Sequence, residues 1–419
     1  MPVDESVWKQ LSQRTREALK QLAWFGGEPA LKAQDLQEPI TSISVRKAIE
    51  SALEDGSWRD YRSPWHRRLE ETLRQLFQVE HVLLCSSGTA GVELALRGAG
   101  VEPADHVLMA AYDFKGNFLN VHAVGGLPVL LDVRMDDGQL DVAKLPGVPV
   151  ENTKAIIVSH LHGGRVSVKA VKDWGARYGL AVIEDVCQAP LVKSEGSYLG
   201  TTGDIAVLSF GGSKLLTAGR GGALLIRNRL MYERIRRYFL RGNEAYPLSS
   251  IQAAMILPQL ETLPQSHEQR AEAVVALWQH TLWCQTFRPW QLPRADYCPA
   301  YYKVACEYGG DLSLCLSRPV ICALLQAEGV PVHPGYRALQ RIHARRRYRL
   351  LGELPGSEHH DERVVVFHHT LFERLPPAAL QIPQALMKIQ MVQQQVQFTR
   401  DEWDQLVGKD LDPDKSLEL

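Results

Sequence analysis

No two cysteines of this 419-residue chain stand at a CxxC spacing; the seven are scattered between Cys85 and Cys322, and their number is odd. That argues against a disulfide framework and against a zinc site. No apolar stretch approaches the roughly 18 uncharged residues of a membrane span. Met1-Pro2-Val3-Asp4-Glu5-Ser6 lacks a basic region followed by an apolar one, so no secretion signal is expected. An excess of one charge is missing too. Lys plus Arg number 47 against 48 Asp plus Glu, and the net charge of −1 gives no general attraction to nucleic acid or an anionic membrane. Repeats and low-complexity tracts are absent. The expectation is a soluble, reduced, cytoplasmic protein.

What is present is ample apolar material: 45% of the residues are hydrophobic, enough for a large core in two or three domains. Short apolar runs at His81 to Cys85, His106 to Tyr112, Pro128 to Val133, Ala155 to Leu161, Leu180 to Ile183, Ile205 to Phe210 and Ala223 to Arg227 read as strands. Helical spacing separates several of them, as in Arg67 to Phe77, Gly91 to Arg97 and Val168 to Tyr178. Near-continuous apolar strands alternating with helices predict an α/β fold with a mainly parallel sheet covered on both faces. Residues 1–60 read as an N-terminal segment with helices at Glu5 to Leu22 and Ser44 to Leu53. Residues 61–265 read as the large α/β domain and 266–419 as a smaller C-terminal α+β domain. A long helical segment is predicted from Ser249 to Trp283, and a frayed tail at Asp412 to Lys415.

Three segments carry chemistry. Ser86-Ser87-Gly88-Thr89-Ala90-Gly91 sits at a strand-to-helix junction, where free amides, a glycine and hydroxyls suit a phosphate; a plain helix cap reads equally well from this turn alone. Ala181-Val182-Ile183 ends in Glu184-Asp185, and a carboxylate closing a buried strand needs a cationic partner or several hydrogen bonds. Ser209-Phe210-Gly211-Gly212-Ser213-Lys214 then places an ammonium among glycines on the rim of the sheet. A desolvated lysine can form a Schiff base with an aldehyde. Phosphate turn, aspartate strand and lysine loop, in that order, describe a pocket for pyridoxal 5'-phosphate.

The same residues carry a resemblance. Glu184-Asp185-Val186-Cys187-Gln188-Ala189, Gly203-Asp204, Ser209-Phe210, Lys214 and the glycines after it resemble the DegT/StrS family of pyridoxal-phosphate-dependent sugar aminotransferases. Ser87-Gly88-Thr89, Tyr112-Asp113-Phe114 and Ser249-Ser250-Ile251-Gln252-Ala253-Ala254 extend the match, and Phe25-Gly26-Gly27-Glu28-Pro29 is similar to members that aminate keto-cyclitols. The resemblance implies the type I fold of these transferases and a homodimer with two sites at its interface. It implies that Lys214 holds the cofactor and moves protons as the catalytic residue, and that Asp185 meets the ring nitrogen. Phe114 would stack on the ring, Gln188 would contact its oxygen, and Gly88, Thr89 and Ser209 would hold the phosphate. The reaction implied moves an amino group from glutamate or glutamine to a keto-sugar, possibly nucleotide-linked, or to a keto-cyclitol.

Departures concern the substrate side. Arg220 stands where the family often has Glu, and either meets a substrate anion or pairs with a nearby acid. Ala245 and Pro247 occupy the positions of an N-x-R element, with Asn243 two residues away. Cys187 replaces a usual alanine and reads as a buried small residue. Tyr61 and His160 are candidate substrate contacts. His160 and His162 lack nearby carboxylates in sequence, so no metal is expected. The basic run Arg341 to Arg349 reads as a solvated helix face, or as a site for a nucleotide diphosphate. Two alternatives stand beside amino transfer: a dehydratase or lyase of the same family, against which Lys214 argues because those dehydratases carry histidine there, and a non-catalytic binding relative.

Overall fold

The computed structural model describes residues 5–32, 42–280, 285–373 and 377–407. The predicted tail and the end of the long helix at Trp283 lie outside them. One eight-stranded sheet dominates. Its strands are β1 (His81–Cys85), β2 (His106–Ala110), β3 (Leu127–Leu131), β4 (Thr153–Ser159), β5 (Ala181–Asp185), β8 (Ile205–Ser209), β9 (Gly222–Ile226) and β13 (Arg349–Leu350). Strands β6 (Lys193–Ser194) and β7 (Ser197–Tyr198) form a separate hairpin. The order across the large sheet is β1-β9-β8-β5-β4-β2-β3-β13. Every neighbouring pair is parallel except the two made by β9, which runs against β1 and β8. The carboxyl ends of β1, β2, β4, β5 and β8 therefore share one edge, where ligands of such sheets bind.

The helices of the first part of the chain are α1 (Glu5–Gln10), α2 (Gln13–Leu19), α3 (Ile43–Glu54), α4 (Pro64–Phe77), α5 (Gly88–Gly98), α6 (Lys115–Ala123), α7 (Val168–Ala176), α8 (Arg229–Phe239) and α9 (Ser250–Trp278). Helices α3 to α9 cover both sheet faces, which is why the strands are apolar throughout. Val82 and Leu84 pack with α3, α4 and α9, while Leu83 and Cys85 pack with α5, α6 and α8. Phe210, fully buried just beyond β8, anchors the strand end that carries the lysine loop; its loss to alanine costs about 3–5 kcal/mol. At α9, the Ser249 Oγ accepts the Gln252 amide at 3.3 Å and the Gln252 Oε1 accepts the Ser249 amide at 2.9 Å, a reciprocal cap that starts the helix. The helix then continues through Pro258 and Pro264.

The second sheet has four antiparallel strands, β10 (Phe287–Pro289), β11 (Lys303–Tyr308), β14 (Val364–His368) and β12 (Val332–Pro334), in that order. Its core takes in Leu19 and Leu22 from the chain start, whereas Ala48 and Ala52 of α3 belong to the core of the large sheet. Two sequence expectations change. The helix foreseen over Glu5 to Leu22 breaks after Gln10, because the Ser12 Oγ accepts the Thr15 amide at 3.1 Å and starts a new helix. The basic run is not a single helix face: Leu339–Ile342 and Arg345–Arg347 are short helical turns, and Arg349 and Leu350 pair with β3.

Candidate active site

Strand β1 ends at Cys85, and the Ser87 Oγ caps α5 by accepting the Ala90 amide at 3.0 Å. The amides of Gly88 and Thr89 head that helix, where N–H groups lack intrahelical acceptors and favour an anion. Gly88 is buried against the end of β8. A Cβ there would stand 2.8 Å from the Ser209 Cβ and 2.9 Å from the Cys187 Sγ, so only glycine lets these strand ends close together. Gly88, Thr89 and Ser209 form one rim. Cys187 is buried, and burial pushes its thiol well above the ordinary value, which makes it a packing residue rather than a nucleophile.

Asp185 closes β5 and is buried. Its Oδ2 accepts from the Asn117 Nδ2 at 2.9 Å, and its Oδ1 from the Cys187 amide at 3.0 Å. The Asn117 Nδ2 also donates to the Ser159 Oγ at 3.1 Å, and that hydroxyl donates to the Asp113 Oδ2 at 2.7 Å. Burial, reinforced by the charge of Asp185, pushes the Asp113 carboxyl up to about 7. Glu184 points to the opposite face, as strand alternation requires. It accepts amides from Gly200 at 2.8 Å and Thr202 at 3.0 Å, and a third from Gly203. Burial raises this carboxyl, but the His160 hydrogen bond and the Gly203 and Gly200 amides outweigh burial and hold it below its usual range. Glu184 thus braces a loop while Asp185 floors the crevice.

Lys214 lies in the connection between β8 and β9, its amide bonded to the Gly211 carbonyl at 3.0 Å. Gln259 of α9 clamps the loop: its Oε1 accepts the Thr217 amide at 3.0 Å and its Nε2 donates to the Thr217 carbonyl at 2.8 Å. Gly221 closes the loop at φ +130°, with Leu248 Cδ1 at 2.5 Å from where a Cβ would be. The Lys214 Nζ stands 4.1 Å from the centroid of the Tyr302 ring, and the Ser213 and Tyr302 hydroxyls are 3.1 Å apart. Burial pushes the Tyr302 phenol up, but Lys214 and Lys303 outweigh it and the net direction is down.

An aromatic wall follows Asp113. The Phe114 and Tyr336 rings are 6.3 Å apart, and the Gln188 Nε2 donates to the Tyr336 hydroxyl at 3.2 Å while its Oε1 accepts the His162 amide at 2.7 Å. His162 stacks on Tyr336 with ring centroids 5.2 Å apart. It is 3% exposed, holds a left-handed φ of 57°, and neither ring nitrogen has a partner among the described residues. Burial, then the charges of Lys303 and Lys214, depress its imidazole to about 3.

The remaining predicted contacts lie apart from this group. His160 is fully enclosed: its Nε2 meets Glu184 at 3.3 Å and its Nδ1 accepts the Val166 amide at 3.3 Å, so both ring nitrogens are spent inside the fold. Tyr61 is 81% exposed, and Asn243 is exposed with its Oδ1 turned to the Glu244 amide at 2.8 Å. The Arg62 guanidinium links their neighbourhoods, meeting Glu70 at 2.9 Å and Glu244 at 3.4 Å. Arg220 is exposed, and its carbonyl accepts from the Gln252 Nε2 at 3.0 Å. Among the described residues it has no acidic partner, so the pairing foreseen for it is not formed with any of them. A cavity of about 590 Å³ beside Arg318, Arg337, Asp361 and Arg400 includes none of these groups. No cluster of potential metal ligands occurs among the described residues.

Residues 42–372 match the model of the DegT/DnrJ/EryC1/StrS aminotransferase family. This chain belongs to that family. The aminotransferase is 28% identical over 377 residues to the L-glutamine:2-deoxy-scyllo-inosose aminotransferase of Streptoalloteichus tenebrarius, covering 79% of this chain and 88% of the relative. A protein of the same name from Streptomyces paromomycinus is 27% identical over 394 residues, covering 84% and 93%. Among solved structures, a DegT DnrJ EryC1 StrS aminotransferase from Brucella abortus superposes with a TM-score of 0.72 at 24% identity, over 83% of this chain and 95% of that one. DesI, determined with its TDP-sugar product, gives 0.74 at 22% identity, over 90% and 100%. The expected fold is thereby borne out.

Pyridoxal phosphate is the cofactor of this family, and the residues present fit it. An anion rim without a carboxylate, a buried aspartate at a strand end, an aromatic wall and an amine on a clamped loop gather at the carboxyl edge of the large sheet, where Cys187 feels the charges of both Asp185 and Lys214. The sequence reading passed over Asn117, Tyr302, Lys303 and Tyr336. Three come from the second sheet and its approaches, and nothing in the local sequence marked them as facing Lys214.

Proposed function

We propose that the aminotransferase moves the amino group of glutamine to a keto-cyclitol, with a keto-sugar as the alternative acceptor. Two observations support this reading: Asp185 and Lys214 both lie at the carboxyl edge of the large sheet, where Cys187 feels the charges of both, and the relatives of the chain are named for glutamine and an inosose. When bound, the cofactor supplies an aldehyde and a ring that accepts electrons. We assign its phosphate to the Gly88 and Thr89 amides and the Ser209 hydroxyl. Asp185 holds a proton at the ring nitrogen, and Asn117 and the Cys187 amide keep its carboxylate aimed. Phe114 covers the ring, and Gln188 faces its oxygen. The Lys214 amine would take the proton from the α-carbon of the donor and return it to the carbon on the far side of the nitrogen, two atoms away, as base and then acid.

A homodimer with shared sites is part of the proposal. Supporting it, Trp58 and Tyr61 are 50% and 81% exposed, next to the Arg62–Glu244 pair that brings Asn243 into the same surface. Tyr61, Asn243 and Arg220 are then contacts to substrate or to the partner's site. The six cysteines among the described residues are all free, which supports a reducing, cytoplasmic setting; no described helix is long and apolar enough to cross a membrane.

The test is spectroscopic. Protein loaded with cofactor should lose its visible band on addition of glutamine and regain it with an accepted ketone, and the amino product should appear by mass spectrometry. Free keto-inositols and nucleotide-linked keto-sugars are compared as acceptors. A band indifferent to both glutamine and glutamate, with no amine formed from any ketone, would overturn the reading.

A further inference from the structure

Lys303 begins β11 in the small-domain sheet and reaches the same aromatic ring as Lys214. Its Nζ lies 5.4 Å from the Tyr302 centroid, against 4.1 Å for the Lys214 Nζ. Lys303 is half-buried, and neither lysine has a carboxylate within ion-pair distance among the described residues. The groups around it are bases or weak acids: Tyr302, Lys214, His162, His333 and His368 all feel or exert its charge. Glu373, whose partner His369 also meets the Ser213 carbonyl next to Lys214, is itself held by His369 at 2.5 Å and Arg270 at 3.6 Å. An uncompensated ammonium in a half-buried pocket is unfavourable until an anion arrives.

The identity of that anion follows from distance. The carboxylate of an α-amino acid is one bond from the carbon whose proton Lys214 handles. It must therefore lie within a few ångströms of the Lys214 Nζ, and Lys303 is the second ammonium on the Tyr302 ring that Lys214 also meets. Phosphates of a nucleotide-linked acceptor would be many bonds further out. The cofactor phosphate has its own rim at Gly88 and Ser209. We propose that Lys303 binds the α-carboxylate of the amino donor, and that it makes the site select donors carrying that charge. This rests on the aminotransferase reading above and names the residue that recognises one of its two substrates.

The experiment uses the full-length protein loaded with cofactor, and variants Lys303→Met, which keeps the stem, and Lys303→Arg, which keeps the charge. The probe is 4-carbamoylbutanoate, glutamine without its amino group, titrated calorimetrically, with the uncharged diamide of the same length as control. Wild type should bind the carboxylate and discriminate against the diamide. Lys303→Met should weaken carboxylate binding by about ten- to a hundredfold and leave the diamide unchanged; Lys303→Arg should recover most of the loss. With glutamine, the concentration giving half-maximal bleaching should rise by the same factor in Lys303→Met, while the limiting rate changes less than about threefold. Carboxylate affinity within twofold of wild type in Lys303→Met would overturn the proposal, as would equal loss for the diamide, no wild-type binding, or a loss of cofactor affinity in its place. Lys303-dependent carboxylate binding without any amino transfer would sink the reaction assigned above and leave the carboxylate site standing.

Discussion

The two walls of the crevice are built on opposite principles. On the wall made by α6 and the ends of β4 and β5, every polar group is engaged: Asp113, Ser159, Asn117 and Asp185 form one chain of hydrogen bonds. On the wall made by the lysine loop and the small-domain sheet, charge is left over. Two ammonium groups share one ring, and a buried histidine beside them has no partner for either nitrogen among the described residues. The first wall is finished before any ligand binds, which suits a permanent cofactor contact. The second is completed only by what enters, which suits exchange of two different substrates. A satisfied network resists change, whereas an unsatisfied one rewards binding.

The sharpest way to break this contrast is on the open wall. Lys214→Ala should reduce amino transfer by at least about four orders of magnitude, with the far-ultraviolet spectrum and thermal midpoint of the folded protein preserved. Transfer near the wild-type rate would remove the lysine from the chemistry. On the finished wall the effect should fall on cofactor affinity. Asp185→Asn removes the charged member of a buried pair, a cost of about 3–5 kcal/mol, or roughly two to four orders of magnitude in cofactor dissociation constant. Titration of the apoprotein followed by the visible band measures it, and an unchanged affinity would count against a ring-nitrogen contact.

The smallest effect distinguishes the walls by pH. His162 is depressed from 6.5 to about 3 by burial and by Lys303 and Lys214, and His267 to about 3 by burial and Arg270. For a base whose folded value lies below its unfolded one, the unfolded chain binds the proton first. The stability it contributes is present above pH 6.5 and is lost as pH falls toward 3. Unfolding by urea should therefore become easier from pH 6.5 downward. His162→Phe, which keeps the stack on Tyr336, should flatten that slope by about 1.4 kcal/mol per pH unit. An identical slope in the variant would mean that the imidazole is not held neutral.

Much of this arrangement was legible before any coordinates. Strand His81–Cys85 falls on the predicted residues and helix Val168–Ala176 starts where predicted, because a run buried on both faces and an amphipathic stripe are local patterns. Gly88, Asp185, Ser209 and Lys214 were legible because each stands at the end of a strand in a fixed order. The two histidines of Ser159-His160-Leu161-His162 were not separable by the same means. One turns inward to Glu184, and the other, through a left-handed backbone, turns toward Tyr336 and the lysines. Only the course of the chain after β4 makes that difference.

By itself, then, the order of residues determined a doubly covered parallel sheet and the set of groups at its carboxyl edge, since strand periodicity and helix caps act over a few neighbours. The fold alone decided what faces Lys214. Tyr302 and Lys303 arrive with another sheet, and the Tyr302 ring and hydroxyl meet Lys214 and Ser213 of the lysine loop. A half-buried charge acquires its meaning from groups distant in the chain, and that proximity exists only once both cores have packed.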